Sequence, residues 1–182
     1  MRKFFVILLV LGCIIVQGFA SVKFLLYLTH PLKYEAEILN YSSKNDLSPI
    51  LVASIINVES SFKKNAKSKA GAVGLMQIMP STASYIAEIT NTDYNTQTLY
   101  NVEVNIKIGC LYLNYLIEKF RNINTALCAY NAGETTVKNW LKDPYYSTDQ
   151  ITLRVIPYPE TREYIKKIKN NLKIYKNYKI LK

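Results

Sequence analysis

The sequence predicts a mainly α-helical domain behind an apolar N-terminal segment. Three observations predict it. Apolar residues recur at helical spacing from residue 34 to the C-terminal region, helix-start and helix-stop residues punctuate that range, and no convincing alternation of apolar and polar residues marks a strand. With 182 residues, 49% hydrophobic and 20% charged, the chain has material for one domain with a proper core. No internal repeat is visible.

Residues 1–33 stand apart as an anchor or signal segment with a linker, leaving 34–182 as the domain. Arg2 and Lys3 precede an uncharged, almost wholly apolar run over residues 4–21. As a helix that run reaches roughly 27 Å, close to the ~30 Å hydrocarbon core of a bilayer. It is longer than an ordinary signal core, and apolarity resumes after Lys23 as far as Leu28. A retained transmembrane anchor is therefore the expectation, with Arg2 and Lys3 on the cytoplasmic side. Gly18-Phe19-Ala20 also has the small-residue spacing of a signal-peptidase site, and cleavage after Ala20 makes the protein secreted. Val10-Leu11-Gly12-Cys13 is a fainter lipoprotein-like box. All three readings send the domain out of the cytoplasm.

Residues 34–45 read as a short amphipathic helix with Ile38, Leu39 and Tyr41 inward. Ser48 as N-cap and Pro49 at the first helical position start the next helix, which runs to about Ser61. It is apolar nearly all round, so it belongs at the centre. Residues 63–73 are polar and small, hence loop. Pro80 starts a helix to about Ile89, and 91–101 connect. Residues 102–120 form a long amphipathic helix, with Val104, Ile108, Leu111, Tyr115 and Phe120 expected on its buried side. Residues 123–132 form a short buried helix stopped by Gly133. A further short helix spans 135–141. Pro144, Pro157 and Pro159 keep 143–159 irregular, and 160–178 form the last helix.

Charge and cysteine usage exclude several function classes. The net charge of +10 is concentrated at the ends: Arg2, Lys3, Lys23 and Lys33 in one, eight basic against two acidic residues over 160–182 in the other. The body between is neutral, which is a poor nucleic-acid binder and better suits a protein beside an anionic membrane or polymer. The three cysteines match no metal-site spacing. Cys110 and Cys128 lie in helical apolar patterns, where a buried thiol is the expected role, although a disulfide between them is open to an exported protein. The single His30 lies near the linker, which argues against histidine triads and zinc–histidine chemistry.

The chemistry centres on Glu59. It ends a buried helix at the end where the dipole disfavours an anion, and desolvation there raises a carboxyl pKa. A carboxylic acid protonated near neutral pH is what glycosidic cleavage requires, because the leaving oxygen must gain a proton. The competing reading is a surface salt bridge to Lys63 at i+4; spacing alone leaves the two level. Nearby, Gly71, Ala72 and Gly74 permit close backbone approach to a ligand, Gln77 offers an amide and Met79 an adaptable apolar surface. Downstream, "AYNAG" supplies a phenol and an amide at Tyr130 and Asn131. Amides, hydroxyls and aromatic faces suit an N-acetylated sugar.

Taken in order, "ES" at 59–60, "GLMQIMPSTA" at 74–83, "AYNAG" at 129–133 and "IPYPETREYIKKI" at 156–168 resemble the soluble-type lytic transglycosylases. "NVEVNIKIGCLYLNYLIEKF" at 101–120 is similar to that family's long helix. The resemblance covers roughly residues 34–182 and implies a goose-type lysozyme-like helical fold. It also implies that Glu59 is the single catalytic acid/base. Ser68, Gln77, Met79, Tyr130 and Asn131 are implied as glycan-contacting cleft residues, Glu160 as a further acidic one, and Ser60 as a support for the helix end. Cys110 and Glu134 depart from the family's commoner residues. The implied partner is the glycan strand of peptidoglycan, cut between N-acetylmuramic acid and N-acetylglucosamine without water to leave a 1,6-anhydro end. A hydrolytic muramidase on the same fold and a non-catalytic wall-binding module are the alternatives. The resemblance implies no metal or organic cofactor, and protein partners are not legible.

Overall fold

A computed structural model describes residues 28–92 and 94–177, together with residues 12, 17, 18, 21, 24 and 25; at residues 96 and 97 only the backbone is described. From residue 35 on, the described residues form seven helices in order: α1 (Glu35–Ser43), α2 (Pro49–Ser60), α3 (Pro80–Ile89), α4 (Val102–Phe120), α5 (Ile123–Ala132), α6 (Glu134–Lys142) and α7 (Pro159–Asn177). A short 3-10 turn (Thr96–Tyr100) leads into α4. The domain is mainly helical as expected. The anchor expected at 4–21 lies mostly outside the described residues; among those described, no helix is long and apolar enough to cross a membrane.

Helix α2 is the central element because its sequence has almost no polar side. Val52, Ala53, Ile55 and Ile56 have no exposed surface. It packs against α1 and α7, while α4 packs against α1, α3 and α5, and α5 against α6 and α7. Ser48 occupies the N-cap in extended conformation, but its side chain makes no capping bond, so the start rests on Pro49. At α4 and α5 the caps are explicit: Asn101 Oδ1 accepts from the Val104 N–H and Asn122 Oδ1 from the Thr125 N–H.

Two inward faces differ from the sequence reading. Leu39 is exposed, and Ile38 and Tyr41 alone of that trio carry the burial of α1, because Tyr41 reaches across to Glu103 on α4 (2.6 Å). In α4 the buried face runs through Ile106, Ile108, Cys110, Leu113, Leu116 and Phe120, so Ile108 and Phe120 lie inward as expected while Val104, Leu111 and Tyr115 are only half-buried. The helix is turned this way because its Asn105–Gly109 face lies against the 73–76 loop. Cys110 and Cys128 are both buried free thiols, and burial pushes each up to about 12.

The linker end is not loose. His30 Nε2 meets Asn171 Oδ1 (3.1 Å), Tyr175 donates to the Pro31 carbonyl (3.1 Å) and Asn57 to that of Thr29 (3.3 Å). Residues 29–31 are thereby tied to α2 and α7, giving His30 a structural partner.

Candidate active site

Glu59 stands one residue before the end of α2, and the chain turns away immediately after it. Ser61 and Phe62 both adopt left-handed backbone, at φ 49° and 61°. That conformation is unfavourable for a bulky residue. It persists here because it drives the Phe62 ring into the core, where it is 2% exposed. Ser60 then donates to the Leu75 carbonyl (2.8 Å), tying the helix end to the following loop.

That loop doubles back through two isolated antiparallel bridges, Lys67 with Val73 and Val73 with Ile78. Leu75 and Met76 are fully buried, so half of "GLMQ" is core. Its shape is held by Asn105 of α4, itself buried, whose Oδ1 accepts from the Met76 N–H (2.8 Å). Its Nδ2 donates to the Val73 (3.0 Å) and Leu99 (2.8 Å) carbonyls. Gly74 is required by this contact and by its φ of 81°: a Cβ there falls 2.1 Å from Asn105 Nδ2. Gly74 serves the amide of Asn105 rather than the close ligand approach expected of it. Gly109 similarly makes room for the Met76 side chain.

Between α2, this loop, α4, α5 and the start of α7 lies a cleft of about 460 Å³. The residues expected as acid/base or glycan contacts all line it: Glu59, Ser68, Gln77, Met79, Tyr130, Asn131 and Glu160. Burial pushes the Glu59 carboxyl up to about 7. The Tyr164 hydroxyl opposes that shift and the charge of Glu160 adds to it. Among the described residues Glu59 joins no ion pair, and Lys63 is exposed. The salt-bridge reading therefore falls, because the side chain turns into the cleft rather than along the helix surface.

The polar side chains divide their bonds between scaffold and cleft. Both protons of the Gln77 amide go to backbone, to the Gly74 (2.9 Å) and Ala66 (3.3 Å) carbonyls. Its carbonyl oxygen is left as an acceptor, so the amide is no free donor. Gln77 itself is left-handed, at φ 48°. Ser68 Oγ accepts from the Ala72 N–H (2.9 Å), leaving its own proton to give. Tyr130 spends its proton on the Met76 carbonyl (2.8 Å), and its ring lies against that of Tyr112 at 5.2 Å between centroids. Burial, and then the charge of Glu59, holds the Tyr130 phenol well above its ordinary pKa, so it stays a donor. Asn131 Oδ1 accepts from Thr161 of α7 (2.7 Å), which turns its amide nitrogen into the remaining donor.

The family profile described as Transglycosylase SLT domain matches residues 37–152. The chain belongs to the SLT transglycosylase family. It is 37% identical over 142 residues to the soluble lytic murein transglycosylase of Salmonella typhimurium, covering 76% of this chain and 22% of that protein. Among solved structures it resembles an inactive mutant of lytic transglycosylase Slt from Pseudomonas aeruginosa, with a TM-score of 0.76 and 31% identity over 86% of this chain and 26% of that one. The 70 kDa soluble lytic transglycosylase of Escherichia coli gives 0.72 and 30%, over 82% and 25%. The SLT chain thus spans about a quarter of the length of these relatives.

Four site residues escaped the sequence reading. Tyr112 and Thr82 line the SLT cleft, and Tyr164 faces Glu59 from α7 although its hydroxyl meets no acceptor in full hydrogen-bond geometry among the described residues. Burial, then Glu59, holds the Tyr164 phenol far above its ordinary pKa. Asn105 was the findable one: a polar residue between Val104 and Ile106 on a helix with an apolar face. Glu134, the departure after "AYNAG", opens α6 and binds Lys119 (2.7 Å), Lys138 (2.6 Å) and the Tyr115 hydroxyl (3.0 Å). Burial works against its charge, but these partners outweigh it and lower its pKa. It staples α6 to α4 behind the cleft wall. Among the described residues no three His, Cys, Asp or Glu side chains gather into a metal site.

Proposed function

We propose that residues 34–182 are a peptidoglycan lytic transglycosylase that cuts between N-acetylmuramic acid and N-acetylglucosamine and leaves a 1,6-anhydro end. The observation that carries this is one carboxyl poised at a pKa of about 7 in a cleft equipped with amide and hydroxyl groups. Protonated Glu59 gives its proton to the glycosidic oxygen as the C1–O bond breaks, so the leaving sugar departs as an alcohol. An oxocarbenium-like centre develops at C1. Glu59, now a carboxylate, takes the proton of the muramic C6 hydroxyl as that oxygen bonds to C1. The carboxyl ends in its starting state and no water is consumed. A second catalytic carboxylate is unnecessary because the nucleophile belongs to the substrate. The donors left over on Ser68 and Asn131 and the acceptor on Gln77 suit the acetamido and hydroxyl groups of the sugars.

Hydrolysis by the same acid is the second reading, favoured by one observation: Glu160 lines the same cleft. Digesting purified peptidoglycan and weighing the products separates the two. Products one water lighter than reducing ends support transglycosylation; reducing-end products support hydrolysis. Absence of cleavage, or equal cleavage by Glu59→Gln, overturns both.

Residues 1–33 are proposed to hold this domain outside the cytoplasmic membrane, on the strength of the apolar run at 4–21 and the cations preceding it. Fractionation of cells expressing the full chain tests this: retention in the membrane after a high-salt wash supports the anchor, and release of a shortened soluble form supports cleavage after Ala20.

A further inference from the structure

The cations of α7 are not scattered. Arg162, Lys166, Lys169, Lys173 and Lys176 follow one another at steps of four and three residues, and all five are exposed. At 3.6 residues per turn that spacing lines them up along one side of the helix. Arg162 spends its guanidinium on the Ile156 (2.6 Å) and Pro157 (2.9 Å) carbonyls, which leaves four lysines as a stripe. Lys166 has one loose, exposed partner in Glu163 (3.8 Å); Lys169, Lys173 and Lys176 join no ion pair among the described residues. The helices that α7 packs against supply no counter-charge on the surface: α2 and α5 contain no charged residue except Glu59, which is in the cleft. Like charges at these spacings weaken a helix slightly, so the fold gains nothing from the stripe.

Its position gives it a use. The C-terminal part of α7 is where the N-terminal segment joins the domain: Tyr175 donates to the Pro31 carbonyl, and His30 Nε2 meets Asn171 Oδ1. Just before that tie, Phe24, Leu25 and Leu28 are helical, share a face by their spacing and are each more than half exposed. Apolar side chains left in water close to unpaired cations suit the surface of an anionic bilayer, where the first enter the acyl boundary and the second meet headgroup phosphates. Tyr164, which faces Glu59, stands roughly 150° around the same helix from the stripe. We propose that the Lys166–Lys176 stripe docks the domain on an anionic phospholipid leaflet, so that α7 lies along the membrane and the Glu59 side of the helix is turned away from it. This rests on the reading that residues 1–33 hold the domain outside the cytoplasmic membrane. Each lysine brought to such a leaflet strengthens partitioning about fivefold.

The test uses the full chain with vesicles of phosphatidylcholine alone and of an equal mixture with phosphatidylglycerol. Acetic anhydride acetylates exposed amines, and mass spectrometry of the digested protein gives the rate at each lysine. Lys166, Lys169, Lys173 and Lys176 are expected to react about fivefold more slowly on the anionic vesicles than on the neutral ones. The difference should disappear at about 1 M salt, where screening shortens to ~3 Å. Lys63, Lys64, Lys69 and Lys142, exposed elsewhere on the domain, should react equally on both. Slowing of both sets alike overturns the proposal, because the surface potential then acts on every amine. Equal reactivity of the stripe on the two vesicles also overturns it and makes the stripe a solvated face. So does slowing of the stripe by insoluble peptidoglycan and not by lipid, which assigns it to the wall polymer. Flotation is scored separately. A chain that floats with neutral vesicles after a high-salt wash but shows no protection of the stripe keeps the anchor and loses the docking face. One that floats only with anionic vesicles, its stripe protected, loses the anchor and keeps the docking face.

Discussion

The two walls of the cleft are built by opposite means. On one side α2 and α7 bring Glu59 and Tyr164 together through helix packing, and apolar burial sets the chemistry. On the other, a loop with almost no regular structure holds its shape through one buried amide, Asn105, and one left-handed glutamine, Gln77. The difference shows that reactivity and shape come from separate residues: Glu59 is tuned by what surrounds it, and the sugar-facing wall by what is tied behind it. Substitutions on the first wall should change chemistry more than stability, and those on the second the reverse.

Glu59→Gln should show the largest effect. Turnover is expected to fall by about 10³-fold, within the range for a lost general acid. Stability should move the other way. A carboxyl whose pKa is raised on folding contributes most stability below its unfolded value of 4.5, and that contribution is lost as pH rises through about 7. At pH 8 the variant should therefore be more stable by roughly 2 to 3 kcal/mol, and the gap should vanish near pH 4. Equal melting curves for both proteins across this range would break the comparison at its first wall.

Asn105→Ala tests the second wall. It strands the Met76 N–H and the Leu99 carbonyl, while the Val73 carbonyl keeps the Ile78 N–H (3.0 Å), and should cost roughly 3 kcal/mol. Denaturant titration measures the loss, and the Glu59 limb of the pH–rate profile of the remaining folded enzyme should stay where it was. Gly109→Ala probes the same wall more gently. The added methyl meets Met76 Sδ, which can swing away, but also Met76 Cβ at 2.9 Å, which cannot. Overpacking should outweigh the helix-propensity gain and leave a net loss of about 1 kcal/mol, read as a lowered melting temperature.

The smallest effects return to Glu59. Tyr164→Phe removes the hydroxyl that favours the carboxylate, so the alkaline limb of the pH–rate profile should move up. Glu160→Gln removes the charge that disfavours it, and the limb should move down. Shifts in one common direction would mean that Glu59 is tuned by something other than these two neighbours.

Helix α2 and Glu59 were legible because the signals are local. Pro49, the unbroken apolar run and the acid at its end need no tertiary information to read. The turned face of α4 was not legible from periodicity. Val104, Leu111 and Tyr115 are as apolar as the residues that are buried, and only the loop docked on Asn105 and Gly109 decides which way the helix faces. Tyr164 was hidden for a related reason: it lies over a hundred residues from Glu59, inside a segment whose periodicity reads simply as an amphipathic helix. Gln77 was recognised, but only the acceptor half of its amide remains for a ligand, since a free amide and one whose protons are spent on two carbonyls look alike in a sequence.

By itself the sequence determined a mainly helical chain, the family, the position of Glu59 and the residue types gathered around it. These follow from periodicity, helix punctuation and ordered motifs. The tertiary structure alone decided how far the pKa of Glu59 rises, the bracing of the loop by Asn105, and which proton or lone pair of Gln77, Tyr130 and Asn131 remains for a ligand. Those properties depend on desolvation and on hydrogen-bond partners drawn from distant parts of the chain, and neither quantity exists until the helices have packed.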